Sequence, residues 1–172
     1  HDLSSPGAHV REPSLTVEPM PAMPWPMDAP RVRLLTSGST GEPTLVDLSA
    51  GQLMTSVLGS AQRLGHLPTD VWLDCLPLHH AGGLSVLLRC AFLATTTDLR
   101  PRFDAAAIAA ALIEGTCSLV SLVPPWLGDL LDAWPAHVRP HANVRALLIG
   151  GAALPAPYRD RASALGLPLA ES

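Results

Sequence analysis

Residues 33–48 read RLLTSGSTGEPTLVDL, and at their centre Thr36, Ser37, Gly38, Ser39, Thr40 and Gly41 follow one another with no bulky side chain between them. Such a run has nothing to bury and too much backbone freedom to hold a helix well, which makes it a loop. Two readings stand for it. Several backbone N–H groups and hydroxyls can turn toward one anion and form a phosphate nest, or the run is a flexible polar hairpin loop. It is not a Walker A loop, which needs G-x-x-x-x-G-K-[ST]. The chain has no Lys: all eleven of its basic residues are Arg.

Arg89 interrupts the apolar run LSVLLRCAFLA. A guanidinium in a buried helix needs a partner, because an unpaired buried charge is costly. An anionic substrate would be such a partner; an Arg that snorkels to the surface or pairs with a local carboxylate is the alternative. Cys75, His79, His80 and Cys90 could be combined on paper into a metal site, but their spacing matches no common zinc pattern, and no metal ligand is assigned.

Charge and composition exclude several classes. A net charge of -4 leaves no basic stripe for nucleic-acid phosphates. With 48% hydrophobic and 15% charged residues, the chain suits an interior-rich α/β protein better than a disordered one. No apolar run approaches the roughly 20 residues that span a bilayer. Cys75, Cys90 and Cys117 are odd in number and widely spaced, so no disulfide framework is expected and a reducing cytoplasm is the default. The first residues lack a signal-peptide core, and the chain opens on His1 rather than Met, so its true start is expected to lie further upstream. Oligomeric state is not legible in the sequence.

Three segments together resemble one family. TSGSTGEP is similar to the phosphate-binding signature of acyl-adenylate-forming (AMP-binding) enzymes. LPLHHAGGLSVLLR (76–89) resembles that superfamily's Pro-Leu-x-His-x-x-Gly segment, and LLIGGAAL (147–154) its Gly-rich loop on the adenine side. The run from Trp72 to Pro124 looks most like o-succinylbenzoate-CoA ligases of menaquinone synthesis. The resemblance covers about residues 31–172. It implies ATP, Mg²⁺ and CoA as cofactors and co-substrates, and a small carboxylic acid that is activated as an acyl-adenylate and passed to CoA. It places the phosphates at residues 36–41, lines the acyl pocket with His80, Gly83 and Arg89, and sets Gly150, Gly151 and Ala152 on the adenine side. For His80 the alternative is a ring hydrogen-bonded at a strand end.

The sequence also departs from the family. Its phosphate loop typically ends in a Lys where Thr44 stands here, so a cationic contact to phosphate is lost while the backbone nest survives. The Tyr-Gly-x-Thr-Glu segment and the small C-terminal domain with the catalytic Lys would lie beyond Ser172. The chain therefore reads as part of an N-terminal adenylation domain, with no catalytic residue of its own and no expected activity alone. A non-catalytic nucleotide-binding or scaffold protein derived from such an enzyme is the alternative.

These residues must be held by a framework, and the pattern supplies one. Residues 1–30 are polar and Pro-rich, an extended lead-in before a partial adenylation domain at 31–172. From there, short apolar runs (VRLLT, VWLDCL, TTDLR, SLVSLV, VRALLIGG, LPLAES) alternate with helical patterns near 49–64, from Leu84, near 104–114, after Pro124 and Pro125, and near 156–165. Strands alternating with helices predict a layered α/β fold with a largely parallel sheet and flanking helices. Working loops then follow the carboxyl ends of the strands.

Overall fold

The computed structural model describes residues 26–36 and 44–172. Strands β1 (Pro30–Thr36) and β2 (Thr44–Ser49) form an antiparallel pair in which Leu35 faces Leu45 and Thr36 faces Thr44. Thr36 is thus the last residue of a strand rather than part of the loop, and residues 37–43, which carry the rest of the expected phosphate loop, lie outside the described residues. The two strands form a separate ladder, while the parallel architecture expected from the sequence is a second sheet of five strands.

That sheet comprises β3 (Val71–Asp74), β4 (Thr96–Leu99), β5 (Leu119–Leu122), β6 (Ala146–Ile149) and β7 (Leu169–Glu171), in spatial order β4-β3-β5-β6-β7 with every pairing parallel. Parallel strands covered on both faces need apolar side chains on both, which is why β6 reads as an unbroken apolar run and β5 as one broken only by Ser121. Helices α3 (Ala105–Glu114), α4 (Pro124–Ala133) and α5 (Ala156–Leu165) cover one face. Their Leu112, Leu127 and Ala162 pack with Leu73, Val120 and Leu147. The other face is covered by α1 (Ala50–Leu64) and α2 (Ala81–Leu93), where Val86 and Cys90 meet Trp72, Leu119 and Ala146.

Local chemistry sets the helix ends. Ser49 accepts from the Gln52 N–H while the Gln52 side chain accepts from the Ser49 N–H, a capping box that starts α1. Asp104 accepts from the Ala107 N–H at the start of α3, and Pro124 and Pro125 open α4, where a missing N–H costs nothing. The start of α2 differs from the expectation: it begins at Ala81, three residues before Leu84. Gly82 and Gly83 look like helix breakers in isolation. Tertiary contact overrides that weakness, because a Cβ on Gly83 would stand 2.7 Å from the carbonyl oxygens of both Leu76 and Pro77.

The far end of the sheet is locked by an ion pair. Arg145 donates to both carboxylate oxygens of Asp70 at 2.9 and 2.6 Å and to the Leu64 carbonyl at 3.0 Å, while Ser118 and the Leu67 N–H also donate to Asp70. Burial opposes the Asp70 charge more than any other influence, yet the donors from Arg145, Leu67 and Ser118 together hold its carboxyl below the usual range. This cluster ties the entries of β3, β5 and β6 together at the end opposite the site.

Candidate functional site

The chain leaves β3 toward β4 on one side, then crosses back to β5 on the other. A parallel sheet opens a crevice at such a reversal, outside the carboxyl ends of its strands. A cavity of about 610 Å³ lies there, within the range of small-molecule pockets. Its walls come from the ends of β5 and β6, the segments that leave β3, β5, β6 and β7, and α2 from Ala81 to Arg89.

Five residues singled out from the sequence line this cavity: His80, Gly83, Arg89, Gly150 and Gly151. Ala152 does not line it and is exposed. His80 is the N-cap residue of α2, with extended backbone and no side-chain capping bond, and its exposed ring lies against that of His79 with centroids 4.3 Å apart. Both imidazoles are exposed, outside the packed core, and of the two His80 lines the cavity. Gly83 lets α2 approach the turn after β3 closely enough to close one wall. Gly151 has φ +84°, a left-handed conformation that suits glycine, and a Cβ on Gly150 would run into the Ser172 hydroxyl. Both glycines therefore serve a tight turn at the end of β6.

Arg89 carries the electrostatics. It is half-buried, its Nε is buried without a hydrogen-bond partner, and it makes no ion pair with any described residue. Neither the local carboxylate nor full escape to solvent is its solution. Its guanidinium carbon instead sits 5.2 Å from the ring centroid of Trp72. Burial lowers its pKa, although an Arg remains charged at any physiological pH.

Sequence reasoning missed several residues in and behind the cavity wall. Trp72 is 4% exposed and donates its indole N–H to Ser121 Oγ at 3.0 Å. Ser121 and Trp126 both line the cavity, and Trp126 is backed by Phe103 in a stacked pair 4.7 Å apart. A Ser inside the buried run SLVSLV was the available signal for Ser121, since a buried hydroxyl requires a partner. Asp74, inside VWLDCL, gave the same kind of signal. Its side chain is fully buried, one oxygen accepts from the Leu76 N–H at 3.1 Å, and the other has no partner. Burial pushes this carboxyl up to about 6.

The four residues considered for a metal do not converge. Cys75 belongs to the core on the α3–α5 face and Cys90 to the core on the α1–α2 face, so the sheet separates them, while both histidines are exposed. Burial, with the Asp74 charge beside it, raises the Cys75 thiol to about 11, far from a thiolate ligand. Among the described residues no three His, Cys, Asp or Glu side chains gather in a way that could hold a metal ion. Among them, too, no helix is long and apolar enough to cross a membrane.

Comparison with known proteins places this geometry. The family model described as AMP-binding enzyme matches residues 3–171. A 2-succinylbenzoate–CoA ligase of Bacillus cereus (strain Q1) is 35% identical over 136 residues, covering 79% of this chain and 28% of the relative. That of Bacillus cytotoxicus is 33% identical over the same span. The chain thus spans about 28% of the length of the curated relatives it matches. Among solved structures, o-succinylbenzoate coenzyme A synthetase from Bacillus subtilis in complex with AMP superposes with a TM-score of 0.78 at 30% identity, covering 86% of this chain and 31% of that one. Its complex with the acyl-adenylate intermediate OSB-AMP gives 0.78 and 30%, with 86% and 30% covered. The N-terminal domain of FACL13 from Mycobacterium tuberculosis shares the fold, with a TM-score of 0.77 at 21% identity over 88% of this chain and 38% of that one.

Proposed function

The chain belongs to the AMP-binding enzyme family, and from that premise we propose that the intact protein is an acid–CoA ligase acting on a dicarboxylic acid of the o-succinylbenzoate type. The observation that carries the reading is the cavity at the sheet's reversal point, with the Arg89 guanidinium, which makes no ion pair among the described residues, in its wall. An apolar pocket with one fixed cation suits an acid that keeps a second carboxylate charged while the first reacts. The likeness to 2-succinylbenzoate–CoA ligases supports the same substrate class.

In the proposed reaction, an oxygen of the acid's carboxylate bonds to the α-phosphorus of ATP as the bond from that phosphorus to pyrophosphate breaks. The thiolate of CoA then bonds to the acyl carbon, and AMP leaves. Charge builds on the transferring phosphoryl group, so catalysis rests on positioning and on fixed dipoles. In this reading Arg89 grips the second carboxylate, for which its planar fork is suited. His80 and Gly83 bound the acyl side, the Gly150–Gly151 turn bounds the adenine side, and residues 36–41 hold phosphate. Mg²⁺ would neutralise phosphate charge, but the described residues offer no cluster to bind it and none is assigned to it.

The test uses the full-length protein with o-succinylbenzoate, ATP, Mg²⁺ and CoA, following AMP, pyrophosphate and the CoA thioester by mass spectrometry. Stoichiometric AMP and thioester are expected. ATP binding without any turnover would overturn the ligase reading in favour of a non-catalytic nucleotide-binding protein, a reading that Thr44 at the family's Lys position also suits.

A further inference from the structure

Among the described residues no carboxylate holds Arg89, yet a selective cation must be held in one place, and the elements around it show how. Arg89 lies on the face of α2 that covers β3, where Val86 and Cys90 of the same helix pack against Trp72. The indole is 4% exposed and its ring centroid is 5.2 Å from the guanidinium carbon. A cation over an indole face is attracted by the ring quadrupole, more strongly where water is excluded. The indole is itself fixed. β3 and β5 run in parallel register with Trp72 opposite Leu119, so Ser121 falls two residues further along the same face. There its Oγ accepts the Trp72 indole N–H at 3.0 Å. Ser121 is 4% exposed, yet it lines the cavity, as Arg89 does.

We infer that Trp72, braced by Ser121, is a positioning residue that fixes the Arg89 guanidinium at the cavity wall and so sets the preference for a substrate with a second carboxylate. The preference rests on the proposed ligase reading; the bracing of Arg89 does not. An aromatic platform has an advantage over a carboxylate here. It restrains the guanidinium without neutralising it, so its N–H groups remain available to an incoming anion. A carboxylate partner would compete with the substrate for those donors.

Two measurements on the full-length protein test the inference and separate it from the substrate reading. The first is a double-mutant cycle of Trp72→Leu and Arg89→Leu on the unfolding equilibrium, with Trp72→Phe as the variant that keeps a ring and most of the packing. Coupling on the order of five- to tenfold in the unfolding constant is expected for the Leu pair, with most of it retained when Phe replaces Trp. Additive effects, or Phe behaving as Leu does, would overturn the bracing of Arg89 whatever the substrate. The second compares KM for o-succinylbenzoate with KM for a monocarboxylate analogue. Trp72→Leu should raise the first about tenfold and leave the second, kcat and KM for ATP nearly unchanged, with Ser121→Ala shifting in the same direction by less. Equal KM losses for both acids would overturn the selective role. Coupling in the cycle together with equal losses in Arg89→Leu would leave the bracing standing and defeat the substrate reading instead.

Discussion

Asp74 makes the protein less stable as pH rises from about 4 to about 6. Its side chain is fully buried, it receives one N–H from Leu76, and its second oxygen has no partner among the described residues. Burial raises the carboxyl from an ordinary 3.8 to about 6, so the folded state holds its proton over a range where the unfolded chain has released it. The folded protein then binds more protons than the unfolded one, and stability falls with rising pH across that window. Once both states are ionised, the accumulated cost reaches up to about 3 kcal/mol. Asp74→Asn keeps an oxygen for the Leu76 N–H and removes the charge. Like the protonated acid, it leaves one polar group unsatisfied, so its own burial cost should match that of wild type at low pH. Urea unfolding of both full-length proteins at pH 4, 5, 6, 7 and 8 reads the difference directly. The variant should match wild type near pH 4 and gain progressively to a plateau of about 2 to 3 kcal/mol above pH 7. A difference that stays flat across this range would refute the assignment of a buried, burial-shifted carboxyl.

The ion pair at the opposite end of the sheet has the reverse pH dependence. Asp70 is held below the usual carboxylate range, so its contribution is full above about pH 4 and is lost as pH falls through the lowered value. Arg145→Ala leaves Asp70 buried and unpaired and should cost about 3 kcal/mol in chemical denaturation at pH 7; a loss under about 1 kcal/mol would show the pair to be unimportant. Gly83→Ala must push α2 away from the Leu76 and Pro77 carbonyls, with an expected cost of about 1 to 3 kcal/mol and a raised KM for the acid. Unchanged stability and KM in that variant would mean that the wall can relax without opening the pocket.

Different parts of this architecture were legible to different degrees, for physical reasons. VWLDCL, SLVSLV and VRALLIGG declare themselves as strands because parallel strands buried on both faces need apolar residues at nearly every position. The start of α2 was not legible, because Gly82 and Gly83 are poor helix formers and only the nearby turn after β3 explains Gly83. The Asp70–Arg145 pair joins residues 75 positions apart, a separation that no local pattern reports. At the site, His80, Gly83, Arg89, Gly150 and Gly151 were found from their segments, and the structure brings them to one cavity. Trp72 escaped because it looks like ordinary strand filling, and Ser121, although a polar break in its run, shows no partner until the register of β3 against β5 is known. Residues 37–41 of the expected phosphate loop lie outside the described residues, so β1 and β2 give only their two anchors, Thr36 and Thr44.

If this cavity holds an acid through its second carboxylate, Arg89→Leu in the full-length protein must lose that hold. The substitution keeps much of the packing on Trp72 and removes the charge. Steady-state kinetics should show KM for o-succinylbenzoate rising on the order of 100-fold, corresponding to about 2 to 3 kcal/mol for a lost charged hydrogen bond, while a monocarboxylate analogue is nearly untouched. An equal loss for both acids would make Arg89 a structural residue of α2 and leave the cavity without its proposed selector.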